Sequence, residues 1–194
     1  MNVVFLLEEE SMRVCLGYLL EKALRDVPDV NCQFVTFRGK GDLEKRLPIK
    51  LKGWSTPNTV FVVVRDQDED DCVKVKEHLL KLASGSGRDV LVRIVCHELE
   101  AWYFGDLEAV DAGFGTKLAP LARKKRYRNP DAIHHPKTEL RKYLPELQQI
   151  DGARRIGPHL DPSRNTSHSL HVLIEGVRCL VRLGVEESSG KDSA

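Results

Sequence analysis

TVFVVVRDQD, residues 59–68, decides the fold. Thr59 to Val64 form a strand-like apolar run that breaks at once into Arg65, Asp66, Gln67 and Asp68. An apolar strand that stops at a carboxylate delivers that carboxylate to one edge of a sheet. The chain opens in the same way: NVVFLL, residues 2–7, runs into Glu8, Glu9 and Glu10. Two such strands, parallel and adjacent, put Glu8, Asp66 and Asp68 in one crevice. Carboxylates crowded together repel unless a cation sits between them. A hard divalent ion with oxygen ligands is the usual answer.

Outward from this stretch the chain alternates. Residues 2–7 read as a strand covered on both faces. Met12, Leu16, Leu19, Leu20, Ala23, Leu24 and Val27 then recur at helical spacing, with Ser11 as a cap and Pro28 as the stop. Residues 32–37 read as a second strand, Gly39 and Gly41 as a turn, and residues 42–51 as a short helix. Cys72, Val75, Leu79, Leu82 and Ala83 make the next helical stripe, closed by Gly85-Ser-Gly87. Residues 89–96 are the fourth strand, and a helix follows His97, Glu98, Leu99 and Glu100. The order β-α-β-α-β-α-β-α predicts an α/β domain: a four-stranded parallel sheet, right-handed crossovers and helices on both faces. In such sheets ligands bind beyond the carboxyl ends of the strands. Glu8, Asp66, Asp68 and residues 97–100 all lie there.

Beyond residue 106 the strand signal stops. Residues 107–128 read as a helix ending in a basic run, and residues 137–149 as another. Pro158 and Pro162 mark a loop. Ser167 caps a last helix with Leu170, Leu173, Ile174, Val177, Leu180 and Val181 on its apolar face. The expected organisation is a core over residues 1–106, a helical extension packed on it over 107–185, and a disordered polar tail over 186–194.

The 194 residues fit one ordinary domain, and a hydrophobic fraction of 41% supports a core. A net charge of +1 excludes a global basic field, so nucleic-acid binding would rest on a local patch. Five cysteines, odd in number and without a CxxC, give neither a disulfide framework nor a zinc ribbon. Cys15, Cys32 and Cys96 read as buried small hydrophobes. The seven histidines, His134-His135 and His168 with His171 among them, match no zinc spacing. There is no P-loop, GxSxG or GxGxxG. The first apolar run is too short for a signal segment or a membrane span, so the expected location is the cytoplasm, with no membrane partner. Oligomeric state is not legible.

Asp66 and Asp68, two apart in an extended segment, face one side and suit a shared ion. Glu8 suits a general base or a further ligand. The competing explanation is that these acids merely favour the following helix ends. Glu98 and Glu100 lie about 200° apart on an ideal helix, so only one of them can point into the site. Leu99, Trp102 and Tyr103 form the buried face of that helix, and Arg93 is placed to pair with Glu98. Arg123, Lys124, Lys125, Arg126 and Arg128, with Tyr127 among them, suit a phosphate backbone or are simply solvated.

These residues resemble a known superfamily. A strand ending in Glu8 and another ending in Asp66-Gln-Asp68, within a four-stranded parallel unit, look like the Toprim domain of topoisomerases, bacterial primases and overcoming-lysogenization-defect nucleases. More narrowly, the chain resembles a bacterial Toprim-like family known as domain of unknown function 4276. The stretches that match are Leu7 to Met12, Arg65 to Asp68 with Cys72, Arg93 to Asp106, Asn129-Pro130, His135-Pro136-Lys137 and Ser167 to Ser169. The resemblance implies Glu8 as general acid/base, Asp66 and Asp68 as the magnesium pair, and Glu100 rather than Glu98 as the fourth acid, through its Glu-Ala-Trp102 element. Glu9, Arg65, Arg93, Glu98 and Trp102 are expected to support the site. The function implied is a Mg2+- (or Mn2+-) dependent nuclease of phage defence with an operon-encoded ATPase partner. The alternative is a non-catalytic Toprim-like interaction or sensor module.

Overall fold

The structure, a computed structural model, describes the backbone of residues 1–191 and the side chains of residues 1–183. Strands β1 (Asn2–Leu7), β2 (Asn31–Thr36), β3 (Thr59–Asp66) and β4 (Val90–Val95) form one parallel sheet in the order β2-β1-β3-β4. Helices α1 (Glu10–Ala23), α2 (Lys40–Lys52) and α3 (Cys72–Ser84) make the crossovers. The expected α/β architecture is present. Val3, Phe5, Leu7, Val62 and Val64 pack under α1, while Val4, Leu6, Phe61 and Val63 pack under α2 and α3. Both faces of β1 and β3 are therefore buried, which is why their sequences show no polar alternation. Each such side chain contributes roughly 1.5–3 kcal/mol on burial.

The strand order positions the site. The chain steps outward from β1 to β2, then returns past β1 to β3. That reversal opens a crevice at the carboxyl ends of β1 and β3, the switch point where ligands bind in such sheets. Leu7 lies beside Val64 in register, so the residues that leave these two strands leave side by side.

The remaining helices are α4 (Glu100–Gly105), α5 (Leu107–Phe114), α6 (Pro136–Arg141), α7 (Gln149–Ile156) and α8 (His168–Lys191). α7 packs on α1 and α5, α4 on α6, and α8 on β4 and α1. Their apolar residues, including Leu140, Ile156, Leu170 and Val177, join the same core as α1. The Asp106 carboxylate fixes this layer. It accepts from the Ala109 (3.3 Å) and Asp161 (3.0 Å) N–H groups and from Arg164 Nε (2.8 Å) and Nη2 (2.9 Å).

Several local expectations are corrected. The helix expected over 107–128 stops at Phe114, because Gly115 turns left-handed at φ +68°; a 3₁₀ turn, Ala119–Arg123, follows, and the basic run is irregular chain. The helix expected over 137–149 is split between α6 and α7. Ser11 lies inside α1, donating its hydroxyl to Glu9, and α1 ends at Ala23, short of Val27. Cys15 is buried, but Cys32 and Cys96 are half-buried. Pro158 belongs to a 3₁₀ turn, Gly157–His159. Ser167 does cap α8, its Oγ accepting from the Leu170 N–H at 3.3 Å. α8 runs on to Lys191, so the tail expected from Glu186 is helical that far; residues 192–194 lie outside the described residues. Propagating a formed helix costs little, which explains the extension. Among the described residues no helix is long and apolar enough to cross a membrane.

Candidate functional site

Glu8 leaves β1 and Asp66 ends β3. Glu8 Oε2 accepts the Asp66 N–H at 3.2 Å, and the Glu8 N–H reaches the Val64 carbonyl at 3.3 Å. Asp66 is buried and its Oδ1 meets no donor. Burial first, then the charges of Glu8, Glu100, Glu9 and Asp68, push the Asp66 carboxyl well above the ordinary range. Burial and the Asp68 charge also raise Glu8, against the opposing pull of the Asp66 N–H and the Arg65 guanidinium. Glu100 opens α4, is buried, and is lifted by that burial to about 7. Glu8 and Asp66 thus meet at the switch point and Glu100 lies near enough for its charge to raise Asp66, each of the three holding its proton more tightly than it would in water.

Asp68 behaves differently. β3 ends at Asp66, and Asp68 adopts a left-handed φ of +55°. The two aspartates therefore do not share an extended segment. Asp66 turns inward, while Asp68 turns to Lys40, whose Nζ lies 3.0 Å from it and 3.4 Å from Asp70. The turn is stitched to the end of β4. The Gln67 N–H donates to the Val95 carbonyl (2.9 Å), the Asp68 N–H to the His97 carbonyl (2.7 Å), and the His97 N–H to Gln67 Oε1 (3.3 Å). His97 is itself left-handed at φ +56°. Among the described residues no three His, Cys, Asp or Glu side chains form a ready-made metal cage.

Of the three successive glutamates, Glu8 is the one against Asp66. Glu9 accepts from Gln149 Nε2 at 3.1 and 3.2 Å, tying it to α7, and Glu10 pairs with Arg13 at 2.6 Å. Arg65 is buried beneath the crevice. Its Nη1 reaches Glu44 (3.0 Å), its Nη2 reaches Asp70 (2.8 Å), and its Nε, without a hydrogen-bond partner, lies 3.9 Å from Glu8. Glu98 accepts the Lys137 N–H at 3.0 Å, at the first turn of α6. Arg93 does not meet Glu98. Its side chain lies toward α8, with Nε on the Val172 carbonyl and Nη1 on the Val92 carbonyl, each at 3.1 Å. Trp102 is core: it is fully buried, with Nε1 donating to Ser169 at 3.1 Å.

A cavity of about 390 Å³ opens over Lys40, Asp68, Asp70 and Glu98 and is walled by His134 and His135. The same two histidines wall a second cavity of about 310 Å³, lined by Arg126, Thr138, Glu139 and Lys142. All five cations of the basic run are exposed. Arg126 pairs with Glu139 at 2.6 Å, and Arg128 donates to the Arg123 carbonyl at 3.2 Å. Tyr127 is buried, stacked on Phe104, so it is an anchor rather than a base platform.

A family model described as a domain of unknown function (DUF4276) matches residues 7–177. The chain belongs to this family. The DUF4276 match takes in every carboxylate of the crevice and the basic run, and ends within α8. No curated protein and no solved structure matches the chain.

In this DUF4276 chain the sequence pattern took in His97 only within residues 97–100, offered His134 only as a zinc ligand without a matching spacing, and left Lys40 out. Lys40 follows the end of β2 and His97 the end of β4, so the rule that found Glu8 and Asp66 extends to both. His134, whose ring stands 5.0 Å from that of His97, comes from irregular chain and carries no sequence signal.

Proposed function

We propose that this DUF4276 protein is a Toprim-like phosphodiesterase that cuts nucleic acid with magnesium or manganese. The observation that carries the reading is Asp66 Oδ1, a buried carboxylate oxygen without a donor, set among carboxyls that burial and mutual repulsion have raised. A buried acceptor left unpaired costs about 1–3 kcal/mol, and a cation beside it relieves both the orphan and the repulsion. The donors are all carboxylate oxygens, which suits a hard ion and not a soft one. Asp66 and Glu100 would hold it, with Asp68 reaching in from the turn. An ion there supplies Lewis acidity toward a phosphoryl oxygen and lowers the pKa of its water.

The side chains do the rest. Glu8, with a raised carboxyl and one oxygen anchored on the Asp66 N–H, acts as general base, and Arg65 nearby stabilises its charged form. Arg126 and Lys142 on one side of the His134-His135 wall, and Lys40 on the other, offer a phosphate backbone a route to the carboxylates. Arg123, Lys124, Lys125 and Arg128 lengthen that route. The resemblance to Toprim nucleases also supports a phage-defence role beside an ATPase partner.

Calorimetric titration with Mn2+, run beside a cleavage assay, tests this. Asp66→Asn should lose ion binding and cleavage together. Glu8→Gln should keep the ion and lower cleavage by about 10²–10⁴-fold. A wild-type protein that binds no ion at millimolar concentration overturns the reading and leaves the non-catalytic module.

A further inference from the structure

Lys40 opens α2, just beyond β2, and its backbone is pinned to the crevice. The preceding Gly39, at a positive φ of +89°, donates its N–H to the Glu8 carbonyl at 3.1 Å and accepts the Leu43 N–H at 3.1 Å. The Lys40 side chain then crosses the rim. Its Nζ lies 3.0 Å from Asp68 Oδ2 and 3.4 Å from Asp70 Oδ2. Asp70 has a second cation, Arg65, whose Nη2 lies 2.8 Å away. Among the described residues Asp68 pairs with no cation but Lys40.

The cavity of about 390 Å³ above this pair is lined by Asp68, Glu69, Asp70 and Glu98, by Lys40, and by His134 and His135. Four carboxylates thus face one ammonium, and the balance stays negative even with both imidazoles protonated. The Arg65 charge beneath is matched by Glu44 at 3.0 Å. A phosphate entering here is repelled for as long as Lys40 is engaged. The engagement is weak. Lys40 is 49% exposed and Asp68 38%, and half-exposed pairs of this kind contribute about 1 kcal/mol or less. The Asp68 backbone is fixed by its N–H on the His97 carbonyl (2.7 Å), so the carboxylate alone has freedom to turn. Turned inward to share an ion with Asp66 and Glu100, it leaves Lys40 only the longer contact with Asp70, which Arg65 already neutralises.

We propose that Lys40 is the resident counter-ion of Asp68, which exchanges it for a divalent ion, and that the ammonium so freed turns into the cavity to hold a phosphate of the substrate. Lys40 is then a positioning residue toward Asp68 and a binding residue toward phosphate. Ion and phosphate occupancy become coupled, each tightening the other. The proposal rests on the ion-dependent reading of the same crevice and adds an order to it: ion first, nucleic acid second.

Calorimetric titration with Mn2+ at one pH and ionic strength tests the exchange. Lys40→Met should tighten ion binding about two- to fivefold, the worth of a half-exposed ion pair. With Asp68→Asn also present the same change should leave ion binding unaltered, because no carboxylate remains to be released. Equal tightening in both backgrounds is plain repulsion between ammonium and ion and overturns the proposal, as does no tightening in either. Fluorescence anisotropy of a single-stranded DNA oligonucleotide tests the delivery, with Glu8→Gln present throughout to suppress cleavage. Mn2+ should tighten DNA binding about fivefold more with Lys40 than with Lys40→Met. An equal gain in the two overturns the role toward phosphate. A wild type that binds no ion removes the crevice reading and this proposal together; a wild type that binds it while Lys40→Met changes nothing removes this proposal alone.

Discussion

Glu100 holds a proton that the unfolded chain would release. Folding buries its carboxyl and moves it from 4.5 to about 7, and Asp66 moves in the same direction. The Glu100 contribution to metal-free stability is therefore fully present below about pH 4.5 and is lost as pH rises to about 7, a change of about 3 kcal/mol. Glu100→Gln should flatten the melting temperature across that window and raise it at neutral pH; melts in chelator from acid to neutral pH check this. Glu8 and Asp66 were legible in the sequence because a strand end is a statement about one residue. Asp68 was not, because its direction is set by a left-handed turn that depends on the His97 carbonyl and on Lys40, both distant in sequence. That only one of Glu98 and Glu100 can enter the site was argued from a helix containing both, and the resemblance then favoured Glu100. α4 begins at Glu100, so Glu98 stands outside it and caps α6 instead.

The elements themselves divide by how their ends are written. All four strands and α1 to α3 were readable, since each is bounded by Gly, Pro or a break in hydrophobic period. The connections between α5 and α7 were not. There the chain is held by side chains rather than by ladders: Asp111 accepts from the Thr116 hydroxyl and the Leu118 and Ala119 N–H groups, and Glu139 accepts from the buried Tyr127 hydroxyl at 2.6 Å. Such contacts leave no periodic trace. Asp106 is the strongest case. Asp106→Ala would orphan the Asp161 N–H and strip the Arg164 fork of its buried partner, and should lower the free energy of unfolding by roughly 3 kcal/mol. Urea titration would show it as a shifted midpoint with an unchanged slope.

Across the whole molecule the charges nearly cancel, at +1, yet they are sorted. Carboxylates collect at the switch point, and cations line the cavity beyond the His134-His135 wall. Nucleic-acid binding should therefore show a shallow salt dependence, set by a few local contacts. Replacing Lys124 and Lys125 together with alanine should reduce the slope of log K against log salt by about two, as read by fluorescence anisotropy at several salt concentrations. The left-handed backbone at Asp68 and His97 bears on the same surface. Each costs an ordinary L-residue about 1 kcal/mol or more that glycine would not incur. Asp68→Gly and His97→Gly would each relax the backbone at that rim, and each would do so only by discarding a carboxylate or an imidazole from it.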